Sequence, residues 1–331
     1  MSLIALGCQP TLAQSSDADF FKGKTVHLIV GFSAGGGYDT YARMIAPAIA
    51  KALGAGNVVV ENQPGAGGLT SVNRITTMAA DGTNIILISG NGAALAQLTG
   101  QPTARFDLAE LGSLGTVSSS PWMWLVTPGS PIKTPQDAIA LKSRIAWGAG
   151  GPMDGLSDGA AFVCEALKLD CRVVLGYPGS NEAALAVVKG EMDMIYVSDT
   201  SANNYVKSGQ IRPVATMSRV KSRFFPSEPT IFEAMALTPE QEWLFDFRAT
   251  LESLGRILAT PPKMAPARLA FMQDAVKRAL SDPELIAEGE RTQRYIGYSD
   301  AAATHRNILR IVRELSPEQK ARVTEIVMRR Q

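Results

Sequence analysis

Two histidines and three cysteines are all that this 331-residue chain offers of the side chains that usually build transition-metal sites. No CxxC pair and no Cys/His set at ligand spacing occurs, which argues against a structural zinc site. Net charge is nearly absent too, with 32 Lys and Arg against 31 Asp and Glu. Without a basic field nucleic-acid binding is not supported, and the one basic cluster, Arg219, Lys221 and Arg223, reads as a solvated loop. No segment after the first residues has the roughly 18 uninterrupted apolar residues of a membrane span. The common phosphate motifs are incomplete: no Lys-Ser or Lys-Thr follows the glycine run at Gly35 to Gly37, and Thr40 stands where GxGxxG needs its third glycine. Nothing in the pattern asks for a metal or a cofactor.

What is present describes an ordinary globular chain, 46% hydrophobic and 19% charged, long enough for roughly two domains of about 150 residues. Residues 1–20 combine a short apolar run with a Thr-Leu-Ala-Gln junction that resembles a secretory cleavage site, without the positive segment such a signal needs. We read a truncated signal peptide, with a disordered leader as the plainer reading and lipidation at Cys8 as a weaker one. Cys164 and Cys171 lie six residues apart at a helix-to-strand connection. In an oxidising compartment they can pair, but spacing leaves a disulfide and two buried thiols equally open.

Strand, glycine-rich loop and helix recur along the first 100 residues. Thr25–Val30 is an apolar strand followed by Ser33 to Asp39 and a helix with Tyr41, Ile45, Ala48, Ile49 and Ala52 at helical spacing. Val58–Glu61, the loop Asn62 to Gly68 and a helix from Leu69 to about Ala79 repeat the plan, and Asn84–Ser89 begins a third unit through Gly90-Asn91-Gly92. Right-handed crossovers between parallel strands bring these loops to one sheet edge. Trp122 and Trp124 fit either core packing at a domain crossing or a wall of the cleft. A second α/β block follows, with strands at Arg144–Trp147, Arg172–Leu175 and Met192–Val197, the last ending in Ser198-Asp199. Helical stretches at 267–280, 283–290, 301–315 and 318–329 then read as a covering layer of the first lobe. His27, inside the first strand, reads as a packed core histidine.

The glycine run suits an anion, since turned amides and a helix N-terminus favour negative charge without a second desolvated ion. Ser180 and Asn91, polar residues just past strands beside glycine, are placed to hydrogen-bond a ligand. Asp39 has two readings: a first-turn acid pairing with Arg43, or a partner for a ligand hydroxyl or amine. Tyr38, Tyr177 and Trp147 fit core or cleft equally. Gly31-Phe32-Ser33-Ala34-Gly35 matches the GxSxG of a nucleophile elbow, with His305 available downstream. Against that reading, three glycines would weaken the helix an elbow starts, and Ser33 follows the first strand, leaving no upstream loop for a second oxyanion donor. No residue is therefore assigned a catalytic role.

The ordered set GFSAGGGYDTYAR, VVVENQPGAGGL, DGTNIILIS, GYPGSNEAALAVVKGEMDM and ATPPKMAPARL resembles the solute-binding receptors of tripartite tricarboxylate transporters, the Bug-type periplasmic receptors, over nearly the whole chain from Phe21. The resemblance implies an α/β type II periplasmic binding protein fold, two lobes joined by a two-segment hinge with the ligand between them. Lobe 1 would take residues 21–120 and 229–331, and lobe 2 residues 121–228. It implies a carboxylate held in the first lobe by Ser33, Gly36, Gly37, Tyr38 and Asp39 on one loop and Ala66 and Gly67 on the other, with Gly151, Met153, Tyr177, Ser180 and Asp199 contributed by the second. It also implies a monomeric periplasmic receptor handing its ligand to membrane permease subunits, with docking on a signalling partner as the alternative. Two departures from the family pattern, Ser33-Ala34 in place of prolines and no His near Leu156 to Asp158, leave the distal half of the ligand open.

Overall fold

The apolar runs Thr25–Val30 (β1) and Asn84–Ser89 (β3) pair side by side in parallel, and Asn57–Asn62 (β2) pairs on the other side of β1. Continuous apolar sequence rather than alternation fits strands covered on both faces. The computed structural model describes residues 17–150, 155–177 and 179–328. Two five-stranded sheets organise them. The first has the order β2-β1-β3-β10-β4, where β4 is Gly112–Thr116 and β10 is Arg256–Thr260. The second has the order β7-β6-β8-β5-β9, from Trp122–Val126 (β5), Ile145–Gly148 (β6), Cys171–Val174 (β7), Met194–Ser198 (β8) and Arg212–Thr216 (β9).

The sheets share one topology. In each, a single antiparallel strand, β10 or β5, lies between a parallel strand and the edge strand. The chain crosses between sheets from β4 to β5 and returns after β9 to reach β10, which gives the two-lobed α/β binding-protein fold with its double crossing. The crossings are fastened to both halves: Asp199 N–H donates to Pro121 O at 2.9 Å, Met217 N–H to Trp122 O at 2.8 Å, and Arg256 N–H to Ser118 O at 3.1 Å.

Helices Pro266–Leu280 and Pro283–Arg291 pack on helix Gly37–Leu53 and cover the first sheet. The other late helices differ from the expected single covering layer. Pro239–Leu254 and Pro317–Met328 both pack on Gly155–Ala166, which lies against the second sheet, and Pro239–Leu254 also meets Gly90–Leu98 of the first half. One apolar cluster accordingly runs from Ile29 and Ile86 through Phe245 and Leu251 to Trp124, Trp147 and Phe162. Trp124 and Trp147 are core residues at 0% exposure, and Trp122 stacks on Tyr196.

His27 corrects an expectation. Its side chain is 42% exposed and its Nδ1 lies 2.6 Å from Glu61 on β2, so it belongs to the outer face of the sheet. Cys164 and Cys171 are joined in a disulfide with Cα atoms 6.2 Å apart, tying the end of helix Gly155–Ala166 to β7.

Candidate ligand-binding site

The strand-to-helix loops of the first sheet are pulled together by close backbone approach. A Cβ on Gly31 would lie 2.8 Å from Gly68 Cα and 2.4 Å from Ser71 Oγ, so only glycine lets the loop after β1 lie against the loop after β2. Gly31, Phe32, Gly67, Gly68 and Ser89 line one narrow recess, which joins the three loops expected from the sequence at one edge. Ser33, Gly37, Ala66 and Gly67 are exposed there, and Asn91 is half-buried with its Oδ1 accepting from Ser89 Oγ at 3.1 Å.

Helix Gly37–Leu53 begins at the C-terminal end of β1 with Gly36 as its N-cap, and no side chain among the described residues caps that end. Its first amides therefore keep the capacity to meet an external anion. Asp39 does not compete for that role. It is buried, and its Oδ2 accepts from Gly35 N–H at 2.8 Å and from Arg43 Nε at 3.0 Å. The hydrogen bond from Arg43, helped by the Gly35 amide, outweighs burial and holds the Asp39 carboxyl down at about 2. Arg43 also donates to Asn62 Oδ1 at 3.2 Å, and Asn62 Nδ2 to Phe32 O at 3.0 Å, so one network fixes both loops. Tyr38 stacks on Phe32 with ring centroids 4.4 Å apart.

In the second lobe the expected residues separate. Tyr177 packs against Gly148, and Ser180 Oγ accepts from Tyr205 Oη at 2.8 Å. Asp199 sits elsewhere, on a cavity of about 260 Å³ beside the crossing segments, with Tyr41, Lys221, Arg223 and Arg256 on the same wall. Neither Tyr177 nor Ser180 is among the described residues lining it. Gly151 and Met153 lie outside the described residues. Asp199 is 2% exposed, and burial pushes its carboxyl up against the hydrogen bond from Ser222. A larger recess of about 620 Å³ lies against helices Pro239–Leu254 and Ala301–Val312, away from the strand ends where open α/β sheets bind ligands, so we assign it no ligand.

The basic residues of this wall were missed by sequence reasoning. Lys221 and Arg223 read there as a solvated loop; they pair with Glu233 at 3.3 Å and Glu290 at 3.9 Å and line the cavity. Arg256 opens β10, a short strand with no loop motif to mark it. The usable signal was Gly255 directly before a β-like run. The hydrolase reading finds no support from placement: Ser33 is exposed on a loop and His305 lies on helix Ala301–Val312.

Residues 41–291 match the family model described as tripartite tricarboxylate transporter family receptor, TctC. A relative from Cupriavidus necator, named UPF0065 protein in gbd 5'region, is 30% identical over 239 residues, 70% of this chain and 69% of that protein. Among solved structures, a TctC solute binding protein from Polaromonas superposes with a TM-score of 0.73 at 20% identity, covering 92% of this chain and 98% of its own. The periplasmic binding protein BugD gives 0.67 at 19% identity over 92% and 97%. MatC from Rhodopseudomonas palustris, solved with bound malate, gives 0.66 at 21% identity over 92% and 99%.

Proposed function

Because this chain belongs to the tripartite tricarboxylate transporter receptor family, we propose that it captures a small carboxylate outside the cytoplasm and delivers it to the membrane permease subunits of such a transporter. The observation that carries the reading is the uncapped start of helix Gly37–Leu53 at the edge where three glycine-bearing loops meet. Backbone amides there recognise a carboxylate with no buried counter-charge to desolvate. The structural neighbours are solute-binding proteins rather than enzymes, and one holds malate. The Cys164–Cys171 disulfide fits an oxidising compartment, and no helix among the described residues is long and apolar enough to cross a membrane.

In this reading Gly36, Gly37 and Tyr38 form one jaw and Ala66 and Gly67 the other, with Ser33 and Asn91 at the rim. Asp39 holds the first jaw in shape through Arg43. A thermal-shift screen of the purified protein against mono-, di- and tricarboxylates and aromatic acids tests the proposal. A bound acid at 100 times its dissociation constant adds about 2.7 kcal/mol of stability, a shift of several degrees. No shift with any acid would remove it.

A further inference from the structure

The cavity beside the crossing segments is separate from the narrow recess of the glycine loops, with no lining residue in common among those described. It adjoins the jaw through Tyr38, whose ring lies 5.2 Å from the Arg256 guanidinium. Arg256 is aimed by its backbone. Gly255 has φ 44, and a Cβ there would fall 2.1 Å from Ser118 O, so glycine alone lets β10 begin against the crossing segment. The Arg256 amide then donates to Ser118 O and its carbonyl accepts from Val117 N–H at 2.8 Å.

The Arg256 guanidinium lies 4.2 Å from the Tyr41 ring centroid, and its Nη1 donates to Ser118 Oγ at 3.2 Å. Its Nε is buried without a hydrogen-bond partner, and among the described residues no carboxylate pairs with it, unlike Lys221 and Arg223 on the same wall. Asp199 is in the complementary condition. Its Oδ2 accepts from Ser222 Oγ at 2.9 Å, while its Oδ1 is buried with no hydrogen bond. Buried polar atoms in native proteins are paired, and a cavity offering a forked cation and an open acceptor suits a ligand with a carboxylate and a donor group.

We propose that this cavity is the subsite for the far end of the ligand, with Arg256 receiving a second carboxylate and Asp199 a hydroxyl or ammonium on the intervening carbons. The ligand class is then a short dicarboxylate bearing a hydroxyl or amino group. The assignment rests on the carboxylate-receptor reading above and adds its specificity.

Isothermal titration of wild type, Arg256→Gln, Arg256→Lys and Asp199→Asn against propionate, succinate, malate and aspartate tests it. Wild type binds the substituted diacids most tightly. Arg256→Gln weakens all three diacids by roughly 30-fold or more, on the scale of a charge-assisted bidentate contact, and leaves propionate within a few-fold. Arg256→Lys, which keeps the charge and loses the fork, lies between and decides the matter should the glutamine variant not fold. Asp199→Asn reduces the preference for malate and aspartate over succinate by about tenfold. Diacid binding unchanged in a folded Arg256 variant would overturn the subsite while leaving the receptor reading intact; wild type binding none of the acids would overturn both.

Discussion

Arg248 and Asp158 form an ion pair buried between the two halves of the molecule, Nη2 to Oδ1 at 2.8 Å, with side chains 1% and 0% exposed. Arg248 comes from helix Pro239–Leu254, which also meets the first half, and Asp158 from the helix against the second sheet. Glu252 lies 3.3 Å from the same guanidinium, and the Tyr196 hydroxyl donates to Glu252. Trp122 and Tyr196 place their rings 5.4 Å from the Arg248 cation. This cluster fixes helix Pro239–Leu254 to the second sheet beside the crossing segments, and it binds no ligand.

Removing the cation strips the counter-charge from two buried acids. Arg248→Met should cost about 3–5 kcal/mol, the usual penalty for breaking a buried pair from one side. Urea unfolding measures it. A loss below about 1 kcal/mol would mean that the cluster is dispensable.

Burial pushes the Glu252 carboxyl up to about 7. The folded state then holds a proton that the unfolded chain, with a glutamate near 4.5, releases earlier. Stability from this group is full below about 4.5 and declines as pH rises towards 7. Glu252→Gln keeps an acceptor for Tyr196 and should flatten that decline. Unfolding midpoints at pH 5, 6, 7 and 8 for both proteins check it, and parallel curves would contradict the assignment.

Asp39 acts in the opposite direction. With its carboxyl lowered from 3.8 to about 2, it contributes stability on the order of 2 kcal/mol that is complete above pH 3.8 and lost as pH falls through 2. Asp39→Ala should lower neutral-pH stability by about 1–2 kcal/mol and change carboxylate affinity little. A large affinity loss at an unchanged melting temperature would transfer Asp39 from the scaffold to the ligand.

The Cys164–Cys171 bridge closes a short loop, for which the chain-entropy model gives about 2 kcal/mol. Changing both cysteines to serine should lower the melting temperature by a few degrees with ligand affinity retained. An unchanged melting temperature would show that the bridge adds nothing.

The parallel strands were legible because β1, β3 and β8 are apolar runs ending at glycine or polar loops, and the structure keeps their boundaries to within about two residues. The missed strands share a cause. β4 (GSLGT) and β9 (RPVAT) are edge strands, where glycine and Pro213 are tolerated and hydrophobic demand is low. Helix Pro239–Leu254 was also passed over, although Thr238, Pro239 and Gln241 form a capping box that marks its start. That omission hid Arg248 and Glu252. At the site, Asp39 pairing with Arg43 followed from i,i+4 spacing, and the meeting of the glycine loops from parallel topology. Arg256 and the cavity around Asp199 depend on which crossing segment lies beside which strand, information that spacing along the chain does not carry.

The central claim is that this cleft recognises a carboxylate group. Its most direct test is calorimetric titration with the best-binding acid from the screen alongside that acid's neutral amide. One site per chain for the acid, with the amide at least about 100-fold weaker, a loss of roughly 2.7 kcal/mol, is the outcome this account predicts. Equal binding of acid and amide, or turnover of an ester dependent on Ser33, would contradict it.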